Sequence, residues 1–279
     1  MELTATRFGY AKVNPALRIT GIGEGYHLLD TVLLRAPLYD AVTVSVSDGA
    51  VSNRVEYSDG SVYADDNVLK ALRLLSDEGV KRSFSVKVTK NIPEGKGLGA
   101  SSAAAAAAVR AVEDLTGRSF TDETWLRIGA DAKFQASGMP AARAYGAGEK
   151  LTEWLPKRRI YVAFAATDIR SDTAKIFAAY DVLGGAGGDT GKFVRDFVPF
   201  NELEVAAVAV NPGITAARRA LTGAGYEYVT MTGSGSGYIG LSFDPETHAR
   251  RFAALEKLAR GKRLEIYDFQ GSAYDGQES

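Results

Sequence analysis

The decapeptide Pro93-Glu94-Gly95-Lys96-Gly97-Leu98-Gly99-Ala100-Ser101-Ser102 has the residue types and spacing of a phosphate cradle. It follows an alternating stretch, Phe84, Val86 and Val88 against Ser85, Lys87 and Thr89, and runs into the alanine series Ala103 to Ala108. Period-two alternation predicts a half-buried strand, and alanine favours a helix. The glycines therefore stand at a helix N-terminus, where unpaired N–H groups and the positive end of the helix dipole favour an anion. Gly97 and Gly99 would let the backbone approach it, while Ser101 and Ser102 could cap the helix, touch a phosphate or bind its metal. A Walker loop is excluded because Gly97, not Ser or Thr, follows Lys96. A glycine turn before a capped helix is the plainer alternative, so other residues have to decide.

Those other candidates are scattered. Lys12 and Asn14 are two apart and share a strand face. Tyr26 and His27 border the turn cluster Gly21 to His27, and Asp65-Asp66-Asn67 suits either a metal or a helix cap. Asp131 follows Gly129-Ala130 as a cap or turn residue would. Thr232-Gly233-Ser234-Gly235-Ser236-Gly237 is too elaborate for a two-residue hairpin turn and could bring backbone to a second ligand group. The chain has no cysteine and only two histidines, His27 and His248, which removes disulfides, thiolate metal sites and a histidine-rich zinc site. With 33 basic and 34 acidic residues and no basic run, nucleic acid and anionic membranes are not expected partners. Neither a membrane-length apolar run nor a signal peptide is present, so a cytoplasmic location is expected.

At 279 residues the chain has room for two units, and Pro156-Lys157-Arg158-Arg159 reads as the junction, giving units 1–155 and 156–279. In the first, a strand-like stretch from Glu2 to Thr20 is interrupted only by Pro15. Leu28 to Leu34 and an alternating strand Val42 to Val46 follow, with helices after Asp66, after the glycine turn as far as Gly117, and after Thr121. In the second, strand 160–166, helix 171–180, helical material 202–221, strands 228–231 and 238–243, helix 245–260 and strand 263–269 give the β-α-β-β-α-β order of a ferredoxin-like sandwich. Gly184 to Gly188 reads as a flexible surface loop and Asp275 to Ser279 as a frayed tail.

Three stretches in this order, Ala11-Lys12-Val13-Asn14, Pro93-x-x-x-Gly97-Leu98-Gly99-Ala100-Ser101-Ser102-Ala103 and Met231-Thr232-Gly233-Ser234-Gly235, resemble the GHMP superfamily of small-molecule kinases. The resemblance covers nearly the whole chain. It implies an α+β, two-domain GHMP kinase fold: a ribosomal-protein-S5-like N-terminal domain and a C-terminal ferredoxin-like α/β sandwich. Gly25-Tyr26-His27, Leu38-Tyr39-Asp40, Asp66-Asn67, Gly129-Ala130-Asp131, Gly146-Ala147-Gly148-Glu149, Thr173 to Phe177 and Asn201-Glu202-Leu203-Glu204 are similar to the 4-diphosphocytidyl-2-C-methyl-D-erythritol kinases of the non-mevalonate isoprenoid (terpenoid) pathway.

That resemblance implies an ATP- and Mg²⁺-dependent phosphotransferase with an alcohol acceptor, working as a monomer or homodimer. It makes Asp131 the catalytic base and Lys12 its partner. Asn67, Lys90, Pro93 and the loop Gly97, Leu98, Gly99, Ala100, Ser101 and Ser102 become the ATP site, with Ser101 a metal ligand. The acceptor site becomes Asn14, Tyr26, His27, Thr173, Phe177, Gly233, Ser234 and Gly235, with Tyr26 and Phe177 clamping a cytosine whose edge His27 reads. The loop here is one residue shorter than is usual in that family, Ala103 replaces a polar residue, and Ala132-Lys133 follow Asp131 in place of Val-Pro. Lys133 could meet a substrate phosphate or point outward. These departures keep open a sister kinase acting on another alcohol, mevalonate- or homoserine-kinase-like, and a non-catalytic nucleotide-binding homologue.

Overall fold

The computed structural model describes residues 3–23, 25–46 and 52–269. It begins with a long hairpin of β1 (Thr4–Gly23) and β2 (Tyr26–Val46), paired antiparallel from Thr4↔Ser45 to Gly23↔Tyr26. The expected turn cluster is narrower than its glycines suggest, because the ladder continues through Gly21 and Gly23 and takes Tyr26 and His27 as the first residues of β2. Leu28–Leu34 and Val42–Val46 likewise belong to one strand. The register shifts between Tyr10 and Lys12 and between Val13 and Ala16; the second shift contains Pro15, which has no N–H for the ladder. Such bulges re-aim side chains, and Lys12 and Asn14 lie at them.

The first sheet is completed by β3 (Arg54–Tyr57), β4 (Phe84–Thr89), β5 (Ala141–Gly146) and β6 (Lys150–Glu153). On it lie α1 (Asn67–Asp77), α2 (Ala100–Thr116), α3 (Asp122–Ile128) and α4 (Ala132–Ser137). Asp66 caps α1 by accepting from Leu69 N at 2.9 Å, so capping accounts for that carboxylate. Ala103 to Ala108, Val109, Ala111 and Val112 are all buried, as a helix apolar all round must be, and their small side chains let α2 lie between the sheet, α1 and α4. The hairpin of β5 and β6, the short α4 and β3 were not anticipated; Ala141-Ala142-Arg143-Ala144 has little β propensity of its own.

The second sheet carries β7 (Tyr161–Thr167), followed by α5 (Thr173–Leu183), α6 (Thr190–Asp196), β8 (Phe200–Asn201), α7 (Glu204–Val210), a 3₁₀ turn at Pro212–Ile214, α8 (Thr215–Gly223), β9 (Tyr228–Met231), β10 (Tyr238–Ser242), α9 (Pro245–Ala259) and β11 (Leu264–Phe269). The expected helical material 202–221 is split where Pro212 cannot continue α7. The antiparallel order β11-β7-β10-β9 is that of the expected ferredoxin-like sandwich. β8 leaves this unit and pairs parallel with β1 in the first sheet, Ala16↔Phe200 and Leu17↔Asn201. Gly184 to Gly188 is an exposed connection without regular structure, and Asp275 to Ser279 lies outside the described residues.

β7 is buried along its whole length because it is covered on both faces. Val162, Phe164 and Ala166 join Val13, Val32, Leu34, Ile92 and Leu98 in an apolar core shared by the two sheets, whereas Ala163 and Ala165 pack against the helices of the second unit with Ile176, Ala217 and Leu221. The loops at one end of this shared core meet each other, and they form the site described next. Among the described residues no helix is long and apolar enough to cross a membrane.

Candidate active site

Four successive carbonyls of the glycine loop are turned onto protein donors. Gly95 O accepts from Ser171 N (2.8 Å) and Ser236 N (3.2 Å), Lys96 O from Gly237 N (3.2 Å), Gly97 O from the Thr232 hydroxyl (3.2 Å) and Leu98 O from Lys12 N (2.9 Å). The first bond within α2 runs from Ala103 N to Gly99 O, so the N–H groups of Ala100, Ser101 and Ser102 have no partner inside the helix. With carbonyls turned away and N–H groups at a helix start, the loop is polarised for an anion. Gly97 (φ +77°) is required for a further reason: a Cβ there would lie 1.9 Å from Thr232 O. A Cβ on Gly99 would meet the Lys12 side chain at 3.0 Å. The glycines thus serve first the approach of two protein loops and of Lys12. Neither serine caps α2, whose N-cap is Gly99; Ser101 Oγ accepts from Asn67 Nδ2 instead.

Lys12, 4% exposed, points along this cradle. Its ammonium donates to Asn14 Oδ1 at 2.6 Å and lies 3.2 Å from Asp131 Oδ2. Asn14 is fixed in turn, its amide donating to Thr31 Oγ1 and its backbone N–H to Thr232 Oγ1, both at 2.9 Å. Asp131 precedes α4 without accepting a capping bond from it, which leaves its carboxylate to Lys12 and to the cleft. Lys133 points outward, its ammonium on Asp122 Oδ2 at 2.6 Å.

The cleft encloses about 540 Å³, and each of its ends is aromatic. At one end the rings of Tyr57 and Tyr63 meet edge-on at 4.7 Å; their hydroxyls donate to Asp66 and Glu94. Burial and the Glu94 carboxylate push the Tyr63 phenol up to about 12, so it remains a donor at neutral pH. Lys90 belongs to this wall, with its ammonium held by Asp40 (2.8 Å) and Glu94 (3.3 Å). At the other end Phe177 lines the cleft and carries His27 against its ring, centroids 4.5 Å apart; His27 Nε2 bonds Asp181 Oδ1 at 2.7 Å. Thr173 and Ser234 bring their hydroxyls to 2.8 Å between that end and the cradle.

Lys12, Asn14, Asn67, Lys90, Pro93, Gly97, Leu98, Gly99, Ala100, Ser101, Ser102, Asp131, Thr173, Phe177, Gly233, Ser234 and Gly235 therefore share one cleft. Neither Tyr26 nor His27 lines the cleft as expected. Tyr26 is half exposed, and Phe177, which does line it, meets the ring of His27, because successive residues of β2 point to opposite faces. Sequence reasoning missed Asp181, although Thr173, Phe177 and Asp181 are spaced four apart and so form one stripe of α5. It also missed two buried supports. Asp40 accepts from Asn91 N and Ile92 N besides Lys90, and the Asn201 amide donates to Met231 O and Gly233 O. Both lie in stretches that carry the resemblance, Leu38-Tyr39-Asp40 and Asn201 to Glu204, but their partners are brought to them only by the fold. Among the described residues no group of three or more His, Cys, Asp or Glu is placed to hold a metal.

The pattern of the GHMP kinases N terminal domain matches residues 66–146. The 4-diphosphocytidyl-2-C-methyl-D-erythritol kinase of Ruegeria pomeroyi is 32% identical over 266 residues, covering 90% of this chain and 93% of its own. That of Desulfitobacterium hafniense is 31% identical, covering 89% and 90%. A crystal structure of 4-(cytidine 5'-diphospho)-2C-methyl-D-erythritol kinase superposes with a TM-score of 0.72 at 28% identity, over 96% of this chain and 100% of that one. Homoserine kinase from Cytophaga hutchinsonii, 19% identical with a TM-score of 0.66, shares the fold. With relatives of this identity spanning nearly their full length, the chain belongs to the GHMP kinases, in the family of the 4-diphosphocytidyl-2-C-methyl-D-erythritol kinases.

Proposed function

We propose that the protein transfers the γ-phosphoryl group of ATP to an alcohol of 4-diphosphocytidyl-2-C-methyl-D-erythritol, a step of non-mevalonate isoprenoid biosynthesis. The observation that carries this reading is the Lys12–Asp131 pair at 3.2 Å, set beside a polarised glycine cradle in a cleft with an aromatic group at each end. Two aromatic ends flanking an anion site suit two nucleotides placed so that the γ-phosphoryl group of one faces an alcohol of the other. Phosphoryl transfer depends on alignment and relief of charge more than on a strong base. The acceptor oxygen bonds to the γ-phosphorus as the bond from that phosphorus to the bridging oxygen breaks and ADP leaves. Asp131 takes the hydroxyl proton, and the Lys12 ammonium faces the developing charge.

Mg²⁺, when bound, would relieve the negative charge of the ATP phosphates. Hard oxygen donors suit it, and it is commonly held by few protein groups together with substrate phosphates and water. Ser101 Oγ, in the cleft wall at the head of α2, would be the protein donor for it, with the Asn67 amide bonded to that hydroxyl.

The cytidine reading draws on His27. Nε2 bonds the Asp181 carboxylate, and in the tautomer that donates there Nδ1 is an acceptor, with no partner among the described residues. Cytosine offers an amine donor at its C4 edge where uracil offers a carbonyl, so an acceptor at this point favours cytosine. Phe177 supplies the stacking face.

A coupled ADP-release assay over cytidylylated and plain alcohols tests the assignment. ADP formation with the cytidine diphosphate methylerythritol is expected. Turnover confined to a plain or phosphorylated alcohol would make it a sister kinase, and no turnover with any acceptor would leave a nucleotide-binding homologue.

A further inference from the structure

Lys96 stands in the middle of the glycine cradle, yet it is 5% exposed and its ammonium faces away from the cleft. Nζ donates to Thr167 O at 2.5 Å and to Ile169 O at 2.7 Å, in the segment that leaves β7 for α5. The Ser236 hydroxyl, from the loop between β9 and β10, donates to the same Ile169 carbonyl. Backbone bonds from Ser171 N to Gly95 O and from Gly237 N to Lys96 O fasten the same three segments. An apolar side chain would fill the space without the cost of burying a charge, and burial draws the Lys96 pKa down.

The tied segment leads somewhere specific. Ser171, whose Oγ is buried without a partner, lines the cleft, and the chain then enters α5 with Thr173, Phe177 and Asp181 on one stripe. One side chain thus joins the anion cradle to the root of the helix that carries the acceptor end. The two ends also differ in how they act on it. Phosphates in the cradle place negative charge beside a loop whose ammonium is otherwise held by carbonyl dipoles, with Glu265 and Asp168 nearby and Arg170 opposing. A filled cradle therefore favours the bonded ammonium more than an empty one does, which is the differential interaction that coupling requires.

We propose that Lys96 is a positioning residue that couples the nucleotide cradle to the 167–171 segment and α5, so that bound ATP orders the acceptor end. This rests on the reading of the cradle as the ATP site. Calorimetry of the acceptor, 4-diphosphocytidyl-2-C-methyl-D-erythritol, with and without a non-hydrolysable ATP analogue gives the coupling factor. In the wild type the analogue should tighten the acceptor by about 5- to 150-fold, the usual range for coupled sites. Lys96→Met should bring that factor near one, with the ATP analogue alone bound more weakly and the acceptor alone bound within about threefold of wild type. A purely structural role would lower thermal stability and leave the factor unchanged, and that result overturns the proposal, as does a wild type without coupling. Ser236→Ala removes only the hydroxyl bond to Ile169 O and should reduce the factor partially; should Lys96→Met not fold, an unchanged factor in Ser236→Ala overturns the proposal. A wild type that binds neither ligand overturns instead the kinase reading on which the coupling rests.

Discussion

The Lys12 ammonium bridges Asn14 Oδ1 at 2.6 Å and Asp131 Oδ2 at 3.2 Å, so one buried cation joins the first strand to the head of α4. The pair is assembled from both ends of the first unit and is held from the second by the Thr232 hydroxyl bonded to Asn14 N. Asp131→Asn keeps size and hydrogen bonding but loses the charge that accepts a proton. It should lower kcat by about 10²- to 10⁴-fold with ATP affinity nearly unchanged, as read by steady-state kinetics and nucleotide calorimetry. A variant within a few-fold of wild type would remove the base role.

Gly97→Ala should be damaging through the protein rather than through the ligand. Its backbone at φ +77° and the 1.9 Å overlap with Thr232 O predict a loss of at least about 2 kcal/mol in denaturant unfolding, the αL penalty alone being about 1–2 kcal/mol. Gly99→Ala shares the backbone penalty but meets only the flexible Lys12 stem at 3.0 Å, so it should fold better and lose turnover by displacing the ammonium. Equal stability of the two variants would contradict this.

At the acceptor end, Phe177→Ala should weaken acceptor binding by about 1–3 kcal/mol, the range for base stacking, with KM for ATP little changed. His27→Ala and Asp181→Asn should both narrow the preference for cytidine over uridine diphosphate acceptors, since the Asp181 carboxylate sets which imidazole nitrogen accepts. Full discrimination in both variants would place the recognition elsewhere.

Glu204 gives a pH signature. Burial raises its carboxyl pKa above the ordinary 4.5, an effect that the Arg218 guanidinium at 3.0 Å opposes only in part. A carboxyl with a raised folded-state pKa contributes fully below its unfolded pKa and loses that contribution as pH rises through the folded value. The wild type should therefore lose stability relative to Glu204→Gln as pH climbs from about 4.5 toward neutrality, which a series of calorimetric melting temperatures would reveal. Parallel curves for the two proteins would dismiss the effect.

The local elements were legible where one periodicity and one terminator agreed. Asp66 and Thr121 cap their helices, Gly117 ends the alanine helix, and strands 228–231 and 264–269 fall within a residue of their alternating pattern. The glycine turn before a helix was legible in the same way, whereas Lys12, Asn14 and Asp131 read locally only as a strand face and a turn, and it was the resemblance that grouped them into one site. What the tertiary structure alone decided is which distant groups meet. Lys133 turns to Asp122, Phe177 faces His27 rather than Tyr26, Gly97 is small for the sake of Thr232, and Lys96 reaches the end of β7. The first follows from how α3 and α4 pack on one sheet, and the other three from the relative placement of two sheets that share a core; such pairing is set by the packing of whole elements, which no short-range spacing encodes.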